Sequence, residues 1–304
     1  MVSQAKKYLA RVLKLASGVP IKWALIPLLL VAILVWIAAI TTPDTKLHVF
    51  FLDVGQGDAI LIRTPSHHHI LIDGGPSPEA ITNELGKRLP FWSRSIDLVV
   101  LTHPHDDHIT GLVEVLRRYE VKQVLESGIE CDSSAYSEWL KLIEEKGIKR
   151  TIARAGQRIE LGAGIWLDIL HPPADLLQGT DSDIDNNGVV LRLVYGEVSF
   201  LFTADIYQEG EQCLLRQGVE LESAVLKVAH HGADTSSSLP FLNAVSPQLA
   251  VISVGEDNPY NLPDKEVRDR LEQSLGQHRV YLTSERGTIE LISDGHRLWL
   301  KTER

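Results

Sequence analysis

The sequence predicts a layered α/β domain with two sheets inside, set behind a single apolar helix. Three observations carry this. An uncharged apolar run lies near the N-terminus, strand-like runs alternate with amphipathic helices over roughly 250 residues, and one central run, 96–102, is continuously apolar, as in a strand covered on both faces. The chain has 304 residues, of which 44% are hydrophobic and 23% charged, which excludes a mainly disordered or fibrous protein. Its two cysteines, Cys131 and Cys213, exclude a disulfide scaffold and a cysteine-rich zinc module.

From Trp23 to Ile40 the chain is uncharged and almost wholly apolar, and Thr41 and Thr42 extend the run. Eighteen to twenty helical residues at ~1.5 Å each match about one hydrocarbon core, so residues 23–42 are expected to form a transmembrane anchor. Lys6, Lys7, Arg11, Lys14 and Lys22 precede this run and only Lys46 follows closely. The positive-inside rule then makes residues 1–22 a cytoplasmic basic segment and places the C-terminal part outside the cell membrane, in a single-pass arrangement. Lys7, Arg11 and Lys14 share one face of a short interfacial helix, ended by Gly18 and Pro20.

Charge is unevenly spread. Six of the 30 basic residues and one of the 40 acidic residues lie in 1–46, which leaves 24 basic against 39 acidic residues in the remainder, a balance of −15. By charge alone such a domain is a poor non-specific nucleic-acid binder, so an anionic substrate needs a local cationic site.

After a Pro43-Asp44 linker, LHVFFLDV (47–54) and AILIRT (59–64) read as strands joined by Gly55-Gln56-Gly57-Asp58. A third strand ends at Gly74-Gly75, and Ser77 caps a helix with Pro78 in its first turn. Helices are expected near 108–118 and 133–146, the second capped by Asp132 and stopped by Gly147. Strands follow at 148–154, 165–170, 188–195, 198–203, 223–229 and 248–254. A helix near 264–275 then precedes terminal strands at 279–283, 287–292 and 296–301.

One stretch stands apart, Leu101-Thr102-His103-Pro104-His105-Asp106-Asp107-His108. His103 and His105 leave a buried strand at positions i and i+2, which point to one side of an extended segment and can grip one metal ion. Asp107 and His108 start a helix and can reach a second ion; imidazole and carboxylate suit zinc, manganese or iron. Asp205, at the end of another apolar strand, can bridge two metals, as two-metal sites require. At the end of Val228-Ala229-His230-His231-Gly232, one histidine can complete the second metal and the other can bind a substrate oxygen or stabilise a leaving group. His67-His68-His69 reads instead as a surface loop, and His171 as an ordinary strand-end histidine.

These motifs carry a family likeness. From about Leu47 to the C-terminus the chain resembles the metallo-β-lactamase fold through His103-Pro104-His105-Asp106-Asp107-His108. More narrowly it resembles the metallo-β-lactamase-like domain of the ComEC family of competence (DNA-uptake) proteins. The segments Phe51-Leu52-Asp53-Val54-Gly55-Gln56-Gly57-Asp58, Leu71-Ile72-Asp73-Gly74-Gly75, Asn187-Gly188-Val189-Val190-Leu191-Arg192-Leu193 and Val225-Leu226-Lys227-Val228-Ala229-His230-His231-Gly232 carry this narrower match, as does Val251-Ile252-Ser253-Val254-Gly255. The resemblance implies an αββα sandwich over 47–304 with a dinuclear site at one edge. It implies His103, His105, Asp107, His108, Asp205 and His230 as metal ligands, with Asn187 approaching the site. Asp53 and Asp73 are implied to orient the signature histidines. The sequence departs from the family pattern at Ala204, at Ala233 and at Leu262, where a histidine is usual.

The function expected from these readings is a membrane-anchored, metal-dependent phosphodiesterase or nuclease that cuts DNA with two divalent ions, zinc or manganese. Asp107 would handle the proton, and His231 and Lys227 would contact phosphate. The long helical channel of full ComEC proteins does not occur in this sequence, so a DNA-uptake channel is the expected partner. Two other readings share the fold: hydrolysis of an ester, lactone, lactam or small phosphate compound, and a degenerate domain that binds DNA or a partner without catalysis.

Overall fold

The computed structural model describes residues 21–41, 45–89 and 94–304. Most of the basic segment expected at 1–22 and the Pro43-Asp44 linker lie outside the described residues. Ile21–Thr41 is a helix of 21 residues, and the side chains described on it, 25–35, are exposed. Among the described residues no helix is long and apolar enough to cross a membrane.

Thr45–Arg304 forms a separate compact unit built on two sheets. The first contains eight strands in the order β17 (Leu298–Thr302), β16 (Ile289–Ser293), β1 (Leu47–Phe51), β2 (Ile60–Arg63), β3 (His69–Ile72), β5 (Leu98–Leu101), β7 (Gln123–Glu126) and β8 (Lys149–Ile152). The second contains seven, ordered β15 (Val280–Leu282), β14 (Leu249–Ile252), β13 (Val225–Lys227), β12 (Val198–Phe202), β11 (Val190–Tyr195), β10 (Ile165–His171) and β9 (Arg158–Glu160). Two short strands, β4 (Ser95–Ile96) and β6 (Glu120–Val121), pair apart from both. Each large sheet changes character along its width. The first is antiparallel from β17 to β3 and parallel from β3 to β8, and the second is antiparallel from β9 to β12 and parallel from β12 to β15.

Alternation along the strands explains the layers. Val49, Phe51, Ile60 and Ile62 from the first sheet meet Leu167, Leu191, Phe200 and Phe202 from the second in one buried cluster. The opposite faces of the first sheet, Phe50, Leu61, Leu71 and Val99, pack on helices Pro78–Arg88, Asp106–Arg118 and Ser134–Lys146. Leu201, Leu226 and Ala250 of the second sheet pack on helices Gln208–Gln217, Leu239–Val245 and Lys265–Leu275. Helix, sheet, sheet and helix therefore follow one another, and both sheet faces are covered, which is why their strands read as apolar runs.

Several boundaries differ from expectation for local reasons. The helix expected from about 108 begins at Asp106, because Asp106 and Asp107 complement the positive helix end in its first turn. Ser133, not Asp132, caps the next helix through its side chain, which accepts from the Tyr136 amide. Ser77 and Pro78 start their helix as the sequence suggests. His69 is not in a surface loop: it opens β3 and is buried.

The helix that carries the metal-ligand motif lies very close to the β3 turn. A Cβ on Gly111 would sit 1.9 Å from the Gly74 carbonyl oxygen, and the Gly111 amide donates to the Gly75 carbonyl at 2.9 Å. Both colliding groups are backbone, so the helix must shift if the space is filled. Gly111→Ala is expected to lower stability by ~1–3 kcal/mol, the usual cost of overpacking, read as an earlier urea midpoint with an unchanged slope.

Candidate metal centre

The residues of the site come from the carboxyl ends of strands in both sheets. Beyond β5 lie His103 and His105, and Asp107 and His108 follow in the first turn of helix Asp106–Arg118. Asp205 follows β12, and His230 and His231 follow β13. The Val189 amide donates to the Thr102 carbonyl at 3.0 Å, which ties the start of β11 to the end of β5 and brings the turn Asp185–Asn187 against the histidines.

Among the described residues three groups of potential ligands result, with donor atoms within 4.8 Å of one another in each: first His103, His105 and Asp185, second Asp107, His108, Asp205 and His231, and third the buried Asp58, Asp73 and His108, which shares His108 with the second. In the first, Asp185 Oδ1 lies 3.2 Å from His103 Nε2 and 2.9 Å from His105 Nδ1. In the second, Asp205 Oδ2 lies 3.3 Å from His108 Nε2 and 3.1 Å from His231 Nε2, and Asp107 Oδ2 lies 3.2 Å from His231 Nε2. The groups adjoin, since the His103 and His108 rings are 4.0 Å apart between centroids.

The donor set fits divalent ions. His103 Nε2 and Asp185 Oδ1 are buried and close together, yet neither makes a contact with hydrogen-bond geometry, a costly state for polar atoms that a cation would relieve. The other ring nitrogens are committed in a way that frees the inner ones. His231 Nδ1 donates to the Ser253 carbonyl at 2.8 Å and His108 Nδ1 to Asp73 Oδ2 at 2.8 Å. Thr102 Oγ1 donates to Asp73 Oδ2 at 2.6 Å, so it accepts from His103 Nδ1 at 3.0 Å. Asp73 Oδ1 also accepts the Thr102 amide at 2.8 Å. One buried carboxylate thus fixes the ring orientation of a histidine in each group, the arrangement that usually supports metal ligands.

Oppositely charged side chains face one another throughout the site. For His108, His231, Asp205, Asp107 and Asp185 burial works against charge, yet the neighbours overcome it. Asp205, Asp107 and Asp73 hold His108 well above the usual imidazole range. For His231, burial is outweighed by Asp205 and Asp107, which raise it to about 10. The same attractions keep Asp205 well below the carboxylate range, through His231, His108 and Lys227, and Asp107 low through His108 and His231. Asp185 is held low by His103 and His105. Binding a cation here displaces protons, which ties occupancy to pH.

The structure does not bring all the sequence-derived candidates into these groups. His231 takes the place expected for His230. Both residues adopt left-handed backbone, with φ of 48° and 54°, and the turn aims His231 inward. His230 stands half-buried on the cleft wall, its Nδ1 2.8 Å from Thr235 Oγ1 and its ring stacked on Tyr207 at 4.8 Å. Asn187 does not approach the centre: its side chain binds the Leu177 backbone and the Asp183 carbonyl. Asp53 does not orient a histidine and pairs with Arg304 at 2.8 Å. The neighbouring motif residue Asp58 comes nearer, with Oδ1 3.7 Å from His231 Nδ1.

Lys227 is fully buried rather than cleft-facing. Its ammonium pairs with Asp58, lies 3.3 Å from Asp205 Oδ1 and donates to the Ala204 carbonyl at 2.9 Å. It therefore holds one oxygen of Asp205 while the other faces the histidines. Asp185, which the sequence reading did not single out, enters the first group, and burial together with the Asp185 charge pushes the Tyr207 hydroxyl above its usual range.

Asp107, Asp205, His105, His230 and His231 line a cleft of about 520 Å³ together with Tyr260 and Leu262. No Lys or Arg occurs among its described lining residues, whereas four aspartates do. Leu262 presents an apolar side chain at the position where a histidine is usual in the family that the sequence resembles.

Behind the first group, His171 donates from Nε2 to the Asn186 carbonyl at 2.8 Å, and burial lowers its pKa to about 4. In the folded chain it stays neutral, while an unfolded histidine takes a proton near pH 6.5. Its contribution is therefore complete above about pH 6.5 and is lost as pH falls from there towards 4. Between pH 7 and 5 this amounts to about 2 kcal/mol. His171→Gln is expected to flatten the pH dependence of the urea midpoint by about that amount relative to wild type.

A four-layer sandwich with histidine–carboxylate groups at the strand ends defines a class, and the sequence comparison agrees: the chain belongs to the metallo-beta-lactamase superfamily, whose pattern matches residues 52–256. Within it the chain is similar to ComEC-like competence proteins. It is 28% identical over 261 residues to ComE operon protein 3 of Bacillus subtilis, covering 80% of this chain and 32% of that protein. It is 33% identical over 232 residues to competence protein ComA of Neisseria gonorrhoeae, covering 75% and 30%. The chain thus spans about a third of the length of these relatives. Among solved structures the fold is that of YhfI from Bacillus subtilis, with a TM-score of 0.54 and 12% identity over 84% of this chain and 100% of that one. Igni18, a metallo hydrolase of Ignicoccus hospitalis, matches at a TM-score of 0.51 and 17% identity over 80% and 98%.

Proposed function

We propose that the chain is a metal-dependent phosphodiesterase acting on DNA, with two divalent ions, zinc or manganese, held by the two ligand groups. The first ion would take His103, His105 and Asp185, and the second Asp107, His108, Asp205 and His231. The observation that carries this reading is the cleft's charge. A wall with aspartates and no described Lys or Arg repels a phosphodiester unless cations sit in it, and members of two groups able to hold cations line it, His105 from the first and Asp107, Asp205 and His231 from the second.

Divalent ions in such pairs lower the pKa of a water and neutralise charge on the phosphate. The protein's own residues supply the rest. Asp107, a third exposed at its side chain, reaches the cleft and can hold the proton of the attacking water. His230 is fixed by Thr235 and Tyr207 at the wall, where its Nε2 can meet an oxygen of the substrate. Lys227 and Asp73 act from beneath, holding Asp205 and the histidines in place.

Two observations support a role in DNA uptake: the likeness to competence proteins, and the apolar, positively flanked run 23–42. In this reading that run anchors the chain, the enzyme domain faces outward, and a DNA-uptake channel is the partner. Incubating the metal-loaded full chain with single- and double-stranded DNA tests the activity. Cleavage that disappears in His103→Ala supports the proposal. A metal-loaded protein that leaves DNA intact but opens an ester or lactone would replace it with the other hydrolase reading, and failure to bind metal would point to a non-catalytic domain.

A further inference from the structure

Tyr260 is an exposed aromatic ring on the cleft. The exposed large apolar side chains described in the Thr45–Arg304 unit are Leu239, Tyr260 and Trp299. Trp299 lies under the Lys46 ammonium at 4.3 Å; of the three, Tyr260 lines the cleft, and it is 67% exposed. An exposed aromatic ring alone is ordinary on a protein surface; what sets Tyr260 apart is that it lines the same cleft as His230, His231, Asp107 and Asp205.

The loop that displays Tyr260 is held firmly. The Asn258 side chain accepts from the Leu262 amide at 2.8 Å and donates to the Gly255 and Leu262 carbonyls, both at 2.9 Å. The far end is clamped to the turn bearing His231: the Asp264 amide donates to the Gly232 carbonyl at 2.9 Å, and the Asp234 amide to Asp264 Oδ2 at 2.8 Å. Glycine is required at 232, where φ is +83° and a Cβ would stand 2.6 Å from Pro263 Cβ. The ring is therefore presented from a fixed frame tied to the ligand-bearing turn, beside the apolar Leu262.

We propose that Tyr260 is the stacking platform for a nucleobase next to the scissile phosphodiester, which makes an unpaired nucleic-acid strand the substrate class of this cleft. This rests on the phosphodiesterase reading and names its substrate more narrowly. With no Lys or Arg described in the lining, the cleft cannot track a charged backbone beyond the phosphate at the ligand groups. The remaining recognition surface is an aromatic face, and the neutral part of a nucleotide that complements it is the base. A base in a duplex has both faces covered, so only an unpaired one is free to lie on Tyr260.

Stacking on one aromatic ring is worth ~1–3 kcal/mol, a five- to 150-fold effect on affinity. The test compares KM of the metal-loaded full chain for a short single-stranded oligonucleotide and for the same oligonucleotide made abasic. The wild type is expected to favour the base-bearing strand at least about fivefold. In Tyr260→Ala that preference should collapse towards one, and Tyr260→Phe should restore it, because the ring and not the hydroxyl carries the contact. Equal KM values in the wild type, or an undiminished preference in Tyr260→Ala, would overturn the assignment. If the loaded wild type cleaves neither strand, the phosphodiesterase reading itself fails, and the stacking role with it.

Discussion

Asp205→Ala is expected to lower bound metal in the full chain from about two ions to one or fewer, and to reduce hydrolysis at least a hundredfold, since even the partners of metal ligands cost ~10–100-fold when removed. Asp205 Oδ2 faces both His108 and His231, so its loss empties the middle of the second group. It also leaves the buried Lys227 ammonium with Asp58 as its remaining carboxylate, so the alanine variant is expected to unfold earlier in urea. Asp205→Asn separates the two effects: it keeps the shape and the Lys227 contact while weakening the metal donor. Metal content by mass spectrometry and hydrolysis in parallel check both. An Asp205→Ala protein with full metal content would refute the assignment of this residue.

The second large effect separates two adjacent histidines. His231→Ala is expected to remove about one ion per chain, because His231 Nε2 lies 3.1 Å from Asp205 and 3.2 Å from Asp107 while its Nδ1 is anchored on Ser253. His230→Ala is expected to keep both ions and to lose turnover, since His230 contacts Thr235 and Tyr207 and not the ligand carboxylates. Metal stoichiometry measured beside kcat distinguishes them. Loss of metal in His230→Ala with retention in His231→Ala would exchange the roles of the two residues.

The pair marks where local sequence stops informing. His103, His105, Asp107 and His108 are legible because their geometry is local: alternation along a strand end, then the first turn of a helix. The choice between His230 and His231 is not local, because two consecutive left-handed residues turn the side chains in a way that neither strand nor helix periodicity anticipates. Both left-handed histidines hold a conformation that costs of order 1–3 kcal/mol each, as is common at functional sites. Asp185 was hidden among Asp175, Asp181, Asp183 and Asp185, four acids of one polar connection. The nearest signal was the motif beginning at Asn187, two positions on, and the β11-to-β5 hydrogen bond that selects Asp185 exists only in three dimensions.

The same limit explains the supporting residues. Asp53 and Asp58 occupy one motif, and only the fold reveals that Asp53 turns to Arg304 while Asp58 reaches Lys227 and His231. Lys227 carried a hint, since it sits between Leu226 and Val228 on a strand with both faces covered, where a lysine stays only with carboxylate partners. Two covered sheets were legible from continuous apolar strands and interspersed helices, while the αββα order came from the family resemblance. The pairing of β1 with β16 across some 240 residues was not, because strand partners at that separation leave no local mark.

The most direct test is anomalous scattering from crystals of the full chain grown with zinc or manganese. The account predicts two peaks, one among His103, His105 and Asp185 and one among Asp107, His108, Asp205 and His231. A metal-saturated crystal with no peak at these side chains, or with a peak coordinated by His230 in place of His231, would contradict it.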